Sequence, residues 1–317
     1  MKLLTALLTT SLALSFLVAG CSNGSTATNK KVSATDTIQV YTTIFPLKDF
    51  TEKIGGSHVH VESLYPAGSD AHTFEPTQKQ IVSVAKANVF IYNGVELEPF
   101  VDKMIQPLQK ENVKLVDTSK GVTLIKYNGP ADEDQADAKN THAHDMDPHI
   151  WLDPKNAIIQ AENIKNVLSD TQPANKDVFE KNFEDLKSKL EKLDSQFRDV
   201  VSNAKTKEVL VSHAAYGYWE HEYGIKQIPI VGLSSSDEPS QKQLAEVAKT
   251  AKDHNMKYIL FESFATPKVA DVVQKETGTT ILRMNHLATI SDTDAKANKD
   301  YVQLMQENIN TLKTVLQ

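Results

Sequence analysis

Between residues 174 and 203, seven large apolar side chains recur at intervals of four and three: Phe179, Phe183, Leu186, Leu190, Leu193, Phe197 and Val200. That spacing sets them along one stripe of an α-helix, and Pro173 stands just before it, as at a helix start. At about 1.5 Å per residue such a helix reaches roughly 39 Å. A stripe of that length suits either the seam of a coiled-coil dimer or a spine joining two lobes of one chain. Three phenylalanines along it favour the spine.

Both flanks of this helix read as alternating strands and helices. Before it come the β-branched run at 38–43, an apolar-periodic stretch from Pro46 to Gly55-Gly56, and a strand at 59–64 with Val59, Val61 and Ser63 on one face. A helix over about 77–87, a buried run at 88–93, a helix over about 97–110 and a strand at 113–117 follow. After it come strands at 208–212, 228–231, 258–261 and 279–284. Helical stretches lie near 214–223, 240–254, 266–277 and 297–316. Alternation of this kind predicts parallel sheets with helices on their faces. The expected fold is α/β with two lobes, each a mostly parallel four-stranded sheet flanked by helices, joined by one long helix. The divisions are 38–172 for the first lobe, 173–204 for the linking helix and 205–317 for the second lobe. Within the first lobe, residues 121–147 are acidic, lack apolar periodicity and carry His142 and His144. Structureless loops of that length are commonly functional or mobile.

The N-terminus predicts export. Lys2, an apolar run from Leu3 to Ala19 and Gly20 before Cys21 describe a signal peptide over 1–20. Cys21 is the only cysteine, so an internal disulfide is excluded. The context Val18-Ala19-Gly20-Cys21 resembles the bacterial lipobox. That resemblance implies cleavage before Cys21 and acylation of the new N-terminus. Two chains anchor stably because each buried methylene contributes about 0.8 kcal/mol. Residues 21–37 are then a flexible polar tether. The formal net charge of -7 opposes nucleic acid as a partner.

Ten histidines are present. His58 and His60 share the polar face of a predicted strand, and His221 and His254 lie on predicted helix surfaces. His221-Glu222 opens an HExx pattern, but a zinc peptidase needs a second histidine one turn on, and that position is Ile225. His72, His149 and His213 differ in placement. His72 and His213 follow predicted strands, where open parallel sheets collect their ligands, and His149 closes the acidic loop.

Three segments carry a wider resemblance: H-x-F-E-P-T at His72 to Thr77, D-P-H-x-W-L-D-P at Asp147 to Pro154, and S-H-x-A-Y-G-Y at Ser212 to Tyr218. With the acidic loop and the long helix, they resemble the metal-binding substrate-binding proteins of zinc and manganese ABC transporters. The resemblance implies a non-enzymatic, extracytoplasmic, lipid-anchored protein of the cell membrane. It would capture Zn2+ through His72, His149 and His213 and pass it to an ABC permease, as a monomer. Three imidazoles suit zinc, whereas carboxylates suit harder ions such as manganese. His142 and His144 would form an accessory zinc-gathering site, against the alternative of a merely solvated loop.

The fourth ligand departs from the family. Many zinc members carry an acid in a segment N-x-L-E-x-L-S, where this chain has Asn285-His286-Leu287-Ala288-Thr289-Ile290-Ser291. Water, His286 or a nearby carboxylate would complete the site, with water preferred. Glu262 is expected to face the cleft, orienting a ligand imidazole in preference to binding metal. Glu75 is either a supporting residue of the site or a helix cap. The competing functions are a manganese-binding protein, an extracellular zinc hydrolase using the open position, and an adhesin, a role linked to some members of the family.

Overall fold

The computed structural model of the chain describes residues 32–129, 146–232, 240–262 and 267–317. The signal segment, Cys21, most of the tether and the pair His142 and His144 lie outside the described residues. In the first lobe, β1 (Ile38–Thr42), α1 (Phe45–Gly55), β2 (Val59–Ser63), α2 (Gln78–Ala85), β3 (Val89–Tyr92), α3 (Val101–Leu108) and β4 (Lys114–Asp117) follow in turn. Their strands pair in the order β2-β1-β3-β4, every pair parallel. The second lobe repeats the plan with β5 (Glu208–His213), α6 (Gly217–Tyr223), β6 (Lys226–Val231), α7 (Gln241–Asp253), β7 (Tyr258–Glu262), α8 (Pro267–Thr277), β8 (Thr280–Met284), α9 (Asp292–Lys296) and α10 (Tyr301–Val315). The order is β6-β5-β7-β8, again all parallel. Each lobe therefore has the expected four-stranded parallel sheet. Pro229 is tolerated inside β6 because β6 is an edge strand.

Two helices lie between these sets, α4 (Pro154–Thr171) and α5 (Lys176–Ser202). The predicted stripe of α5 is buried from Phe179 to Phe197, but the last buried position is Val201, with Val200 half-buried. A helix of 3.6 residues per turn drifts off a strict four-three repeat, so the stripe moves on by four at its end. The stripe packs on α1 and α4 on one side and on α10 on the other. It is thus covered within the chain and spans both lobes, which accounts for it without a coiled-coil partner.

The eighteen residues of α4 have no counterpart in the sequence reading. Asp153 caps this helix by accepting from Lys155 N, and Pro154 holds its first position. Elsewhere the differences are local. Thr77 is the cap of α2 and forms a reciprocal capping box with Gln80. Glu75 reaches Lys103 at 3.6 Å on the exposed surface, so it neither caps the helix nor supports the site. α3 starts at Val101, later than expected, because Gly94, Val95 and Glu96 all take left-handed φ angles. His58 belongs to a 3-10 turn, not a strand, and contacts Asn175 Nδ2 at 3.1 Å and the edge of Phe179. Among the described residues no helix is long and apolar enough to cross a membrane.

Candidate metal centre

The carboxyl ends of the second sheet meet one flank of the first lobe, and the histidines gather there. His213 is the last residue of β5, Glu262 the last of β7, and His286 lies two residues beyond β8. His149 stands immediately before a 3-10 turn, Ile150–Leu152, that leads into α4. His72 comes from the loop between β2 and α2. The four imidazoles form a chain: His72 to His149 at 5.2 Å between ring centroids, His149 to His213 at 5.5 Å, and His213 to His286 at 5.6 Å. His72 Nε2 and His149 Nε2 are 3.3 Å apart. His149, His213 and His286 are buried, whereas His72 is only half-buried, so solvent reaches the cluster from its loop.

Carboxylates stand behind two of these rings. Asp147 Oδ1 lies 2.8 Å from His149 Nδ1 and also accepts the His149 backbone N–H at 3.0 Å. With Nδ1 so engaged, Nε2 is the nitrogen turned to His72. Glu262 Oε1 forms an ion-pair contact with His213 Nδ1. A hydrogen-bonded carboxylate behind an imidazole fixes its orientation and raises its basicity toward a metal. Glu262 Oε2 lies 3.4 Å from His286 Nε2, and His286 Nδ1 accepts the Ala288 N–H at 3.1 Å. Among the described residues, no three His, Cys, Asp or Glu side chains yet surround one point closely enough to grip an ion.

The electrostatics divide the histidines. Burial, reinforced by the charges of His213 and His286, holds His149 well below the ordinary imidazole range. Burial also pulls His286 down, more than Glu262 raises it. Burial pulls on His213 as well, but the charge and contact of Glu262 outweigh it, and His213 is raised. Glu262 is buried, which pushes it up, yet the surrounding imidazoles, His213 first, hold it below the ordinary carboxylate range. Burial pushes Asp147 up to about 7, against the pull of the His149 backbone N–H and the charge of His213.

The segment carrying His149 is anchored by both lobes. Trp151 Nε1 donates to the His286 carbonyl at 2.6 Å, and Tyr301 Oη donates to the Trp151 carbonyl at 2.6 Å. Trp219 Nε1 donates to Leu152 O at 2.8 Å, and Tyr218 Oη donates to Asp147 O at 3.0 Å. On the other side Asn93 Nδ2 reaches Pro148 O at 3.0 Å. Gly217 is required by the same packing, since a Cβ there would lie 2.2 Å from Asp147 Oδ2. Sequence reasoning assigned none of these partners a role. The Asp147-Pro148-His149 spacing was the one available signal for Asp147, because a carboxylate two residues before a histidine can reach its ring.

Residues 40–315 match the family described as ZnuA, zinc-uptake complex component A, periplasmic. The chain is 34% identical over 308 residues to the zinc-binding lipoprotein AdcA of Streptococcus pneumoniae, covering 97% of this chain and 60% of that protein. It therefore spans about 60% of the AdcA length. It is 35% identical over 300 residues to the high-affinity zinc uptake system protein ZnuA of Bacillus subtilis, covering 95% of this chain and 94% of that one. Among solved structures, the Zn(II)-bound ZnuA-like domain of Streptococcus pneumoniae AdcA superposes with a TM-score of 0.76 at 32% identity. That superposition covers 88% of this chain and 99% of that domain.

Proposed function

Since the chain belongs to the ZnuA family of zinc-uptake components, we propose that it captures Zn2+ outside the cytoplasm and delivers it to an ABC permease. The observation that carries this reading is the meeting of His72, His149 and His213 from both lobes, with the last two backed by carboxylates. In this reading all three bind the ion, and their neutral imidazoles select zinc over manganese. The family is one of uptake components and not of enzymes, so the hydrolase reading gives way.

Capture on this reading is a local event. The Asp147–Leu152 segment is tied to the second lobe by four hydrogen bonds, and α5 bridges the lobes. Wide hinge opening would break these together, at about 1 kcal/mol each before the aromatic surface is exposed. The His72 loop meets the second lobe where Thr289 Oγ1 donates to Ser69 O at 3.1 Å. Movement of this loop is the route by which the ion enters and by which the permease withdraws it.

Lipid anchoring through Cys21, the tether over 21–37, an accessory zinc site at His142 and His144, and a monomeric state complete the proposal. The test is calorimetric titration of zinc into the chain lacking its first 21 residues. His213→Ala is expected to lose at least about 100-fold in affinity, since it removes one of three donors. Unchanged affinity overturns the assignment, and preference for Mn2+ over Zn2+ in direct competition overturns the choice of ion.

A further inference from the structure

Four hydrogen bonds tie the segment carrying His149 to the second lobe, and the first-lobe sheet meets the same segment through Asn93. Asn93 follows β3 directly, and its Nδ2 donates to the Pro148 carbonyl at 3.0 Å and to the Gly94 carbonyl at 3.1 Å. The Pro148 carbonyl belongs to the planar peptide unit that joins Pro148 to His149. Fixing it fixes the plane from which the His149 side chain departs.

The two ends of an amide side chain have nearly the same shape, but one donates and the other accepts. Pro148 needs the donating end. The direction is set at the far end of a buried chain of bonds, at the Tyr92 carbonyl, which can only accept. Thr118 Oγ1 donates to that carbonyl at 2.9 Å. Having given its one proton, Thr118 Oγ1 can only accept from Gln160. Gln160 therefore turns Nε2 toward it, at 3.0 Å, and the same Nε2 donates to Asn93 Oδ1 at 3.1 Å. With Oδ1 so engaged, Nδ2 is the end left for Pro148. The main chain of Asn93 is held as well, because the buried Glu98 carboxylate accepts Asn93 N at 2.8 Å and Gly94 N at 3.2 Å. Asn93, Thr118 and Gln160 are all fully buried. Gln160 also keeps Oε1 buried with no hydrogen-bond partner, a penalty that a leucine in its place would avoid. What Gln160 gives in return is the direction of the Asn93 amide.

We infer that Asn93 is the positioning residue that sets His149 for the ion from the side of the first lobe, and that Gln160 aims the Asn93 amide. The inference rests on the zinc-capture reading. It makes the affinity for zinc depend on two buried amides that do not themselves touch the metal.

The experiment measures zinc affinity by chelator competition, the visible spectrum of bound cobalt(II), and urea unfolding of the metal-free chain. Asn93→Ala is expected to lose about 10-fold in zinc affinity, the lower end of what outer-shell support of a ligand contributes. It is also expected to alter the cobalt spectrum, because His149 meets the ion at a changed angle. Gln160→Leu is expected to show a smaller loss of affinity at a nearly unchanged urea midpoint, since removing the unpaired Oε1 offsets the two bonds lost. The double variant is expected to bind no more weakly than Asn93→Ala alone, since Gln160 acts through Asn93. Ile54→Val, a buried change in α1 of the same lobe, is expected to lower the urea midpoint and leave affinity and spectrum as in the wild type. The inference is overturned if Asn93→Ala keeps the wild-type affinity or the wild-type cobalt spectrum. Should that chain fail to fold, wild-type affinity in Gln160→Leu overturns it. Additive losses in the double variant, or an equal loss of affinity in Ile54→Val, overturn it too. A wild-type chain that holds neither cobalt nor zinc overturns the zinc-capture reading and this inference with it.

Discussion

Glu98 makes the stability of the metal-free protein depend on pH in a calculable direction. Its carboxylate is buried, accepting from Thr43 Oγ1 at 2.6 Å, Asn93 N at 2.8 Å and Gly94 N at 3.2 Å. Burial nevertheless dominates these donors and pushes the group from 4.5 up to about 7. Between those values the folded chain holds a proton that the unfolded chain has released. Stability therefore falls as pH rises through this window, by about 1.4 kcal/mol per unit. The whole window amounts to about 3 kcal/mol, present below pH 4.5 and lost above pH 7. Glu98→Gln, neutral in both states, removes this dependence. Urea unfolding of both chains in the presence of a chelator, at half-unit steps from pH 4.5 to 8, gives two stability curves. Asp147 and Asp153 are also raised to about 7 by burial and slope the same way in both chains, so the difference curve isolates Glu98. The variant is expected to gain on the wild type as pH rises, by about 3 kcal/mol over the range. A flat difference curve would refute the assignment of Glu98 as a proton-holding buried acid.

Two further substitutions probe the scaffold behind the histidines. Asp147→Asn removes the carboxylate behind His149, and Gly217→Ala displaces it without changing charge, since the new Cβ would lie 2.2 Å from Asp147 Oδ2. Both are expected to weaken zinc binding by about 10- to 100-fold in a chelator competition assay, and retention of full affinity by both would remove Asp147 from the site. Trp151→Phe keeps an aromatic side chain, though a smaller one, and leaves the His286 carbonyl without its 2.6 Å donor, and is expected to lower stability by about 1–3 kcal/mol in urea melts. Unaltered stability would mean that this bond does not help to join the lobes.

The legible parts of the fold were those whose buried faces are made of large apolar residues. The strands of both sheets announce themselves through runs such as Val209-Leu210-Val211 and Tyr258-Ile259-Leu260-Phe261, and α5 through its phenylalanine and leucine stripe. α4 stayed hidden for the opposite reason. Its buried face is built from Asn156, Ala157, Gln160, Ala161, Lys165 and Ser169 as well as Ile164 and Leu168, while Ile158 and Ile159 are only half-buried. Its apolar positions Ala157, Ala161, Ile164 and Leu168 do keep the four-three spacing, but two are alanines and Asn156, Gln160, Lys165 and Ser169 share the buried face, so the apolar signal is weak. From that face Gln160 bonds Asn93 Oδ1 at 3.1 Å and Thr118 Oγ1 at 3.0 Å.

The candidate site divides along the same line between local and through-space information. His72, His149 and His213 could be singled out because each lies in a recognisable segment, two of them beyond strand ends. Their relation to one another is not local: His72 and His213 are separated in sequence by most of the first lobe and the whole of α5, and the fold brings them to one cluster on either side of His149. Spacing along the sequence leaves Glu262 and His286 with alternative roles. The fold sets Glu262 between His213 and His286, with Oε1 toward the first and Oε2 near the second.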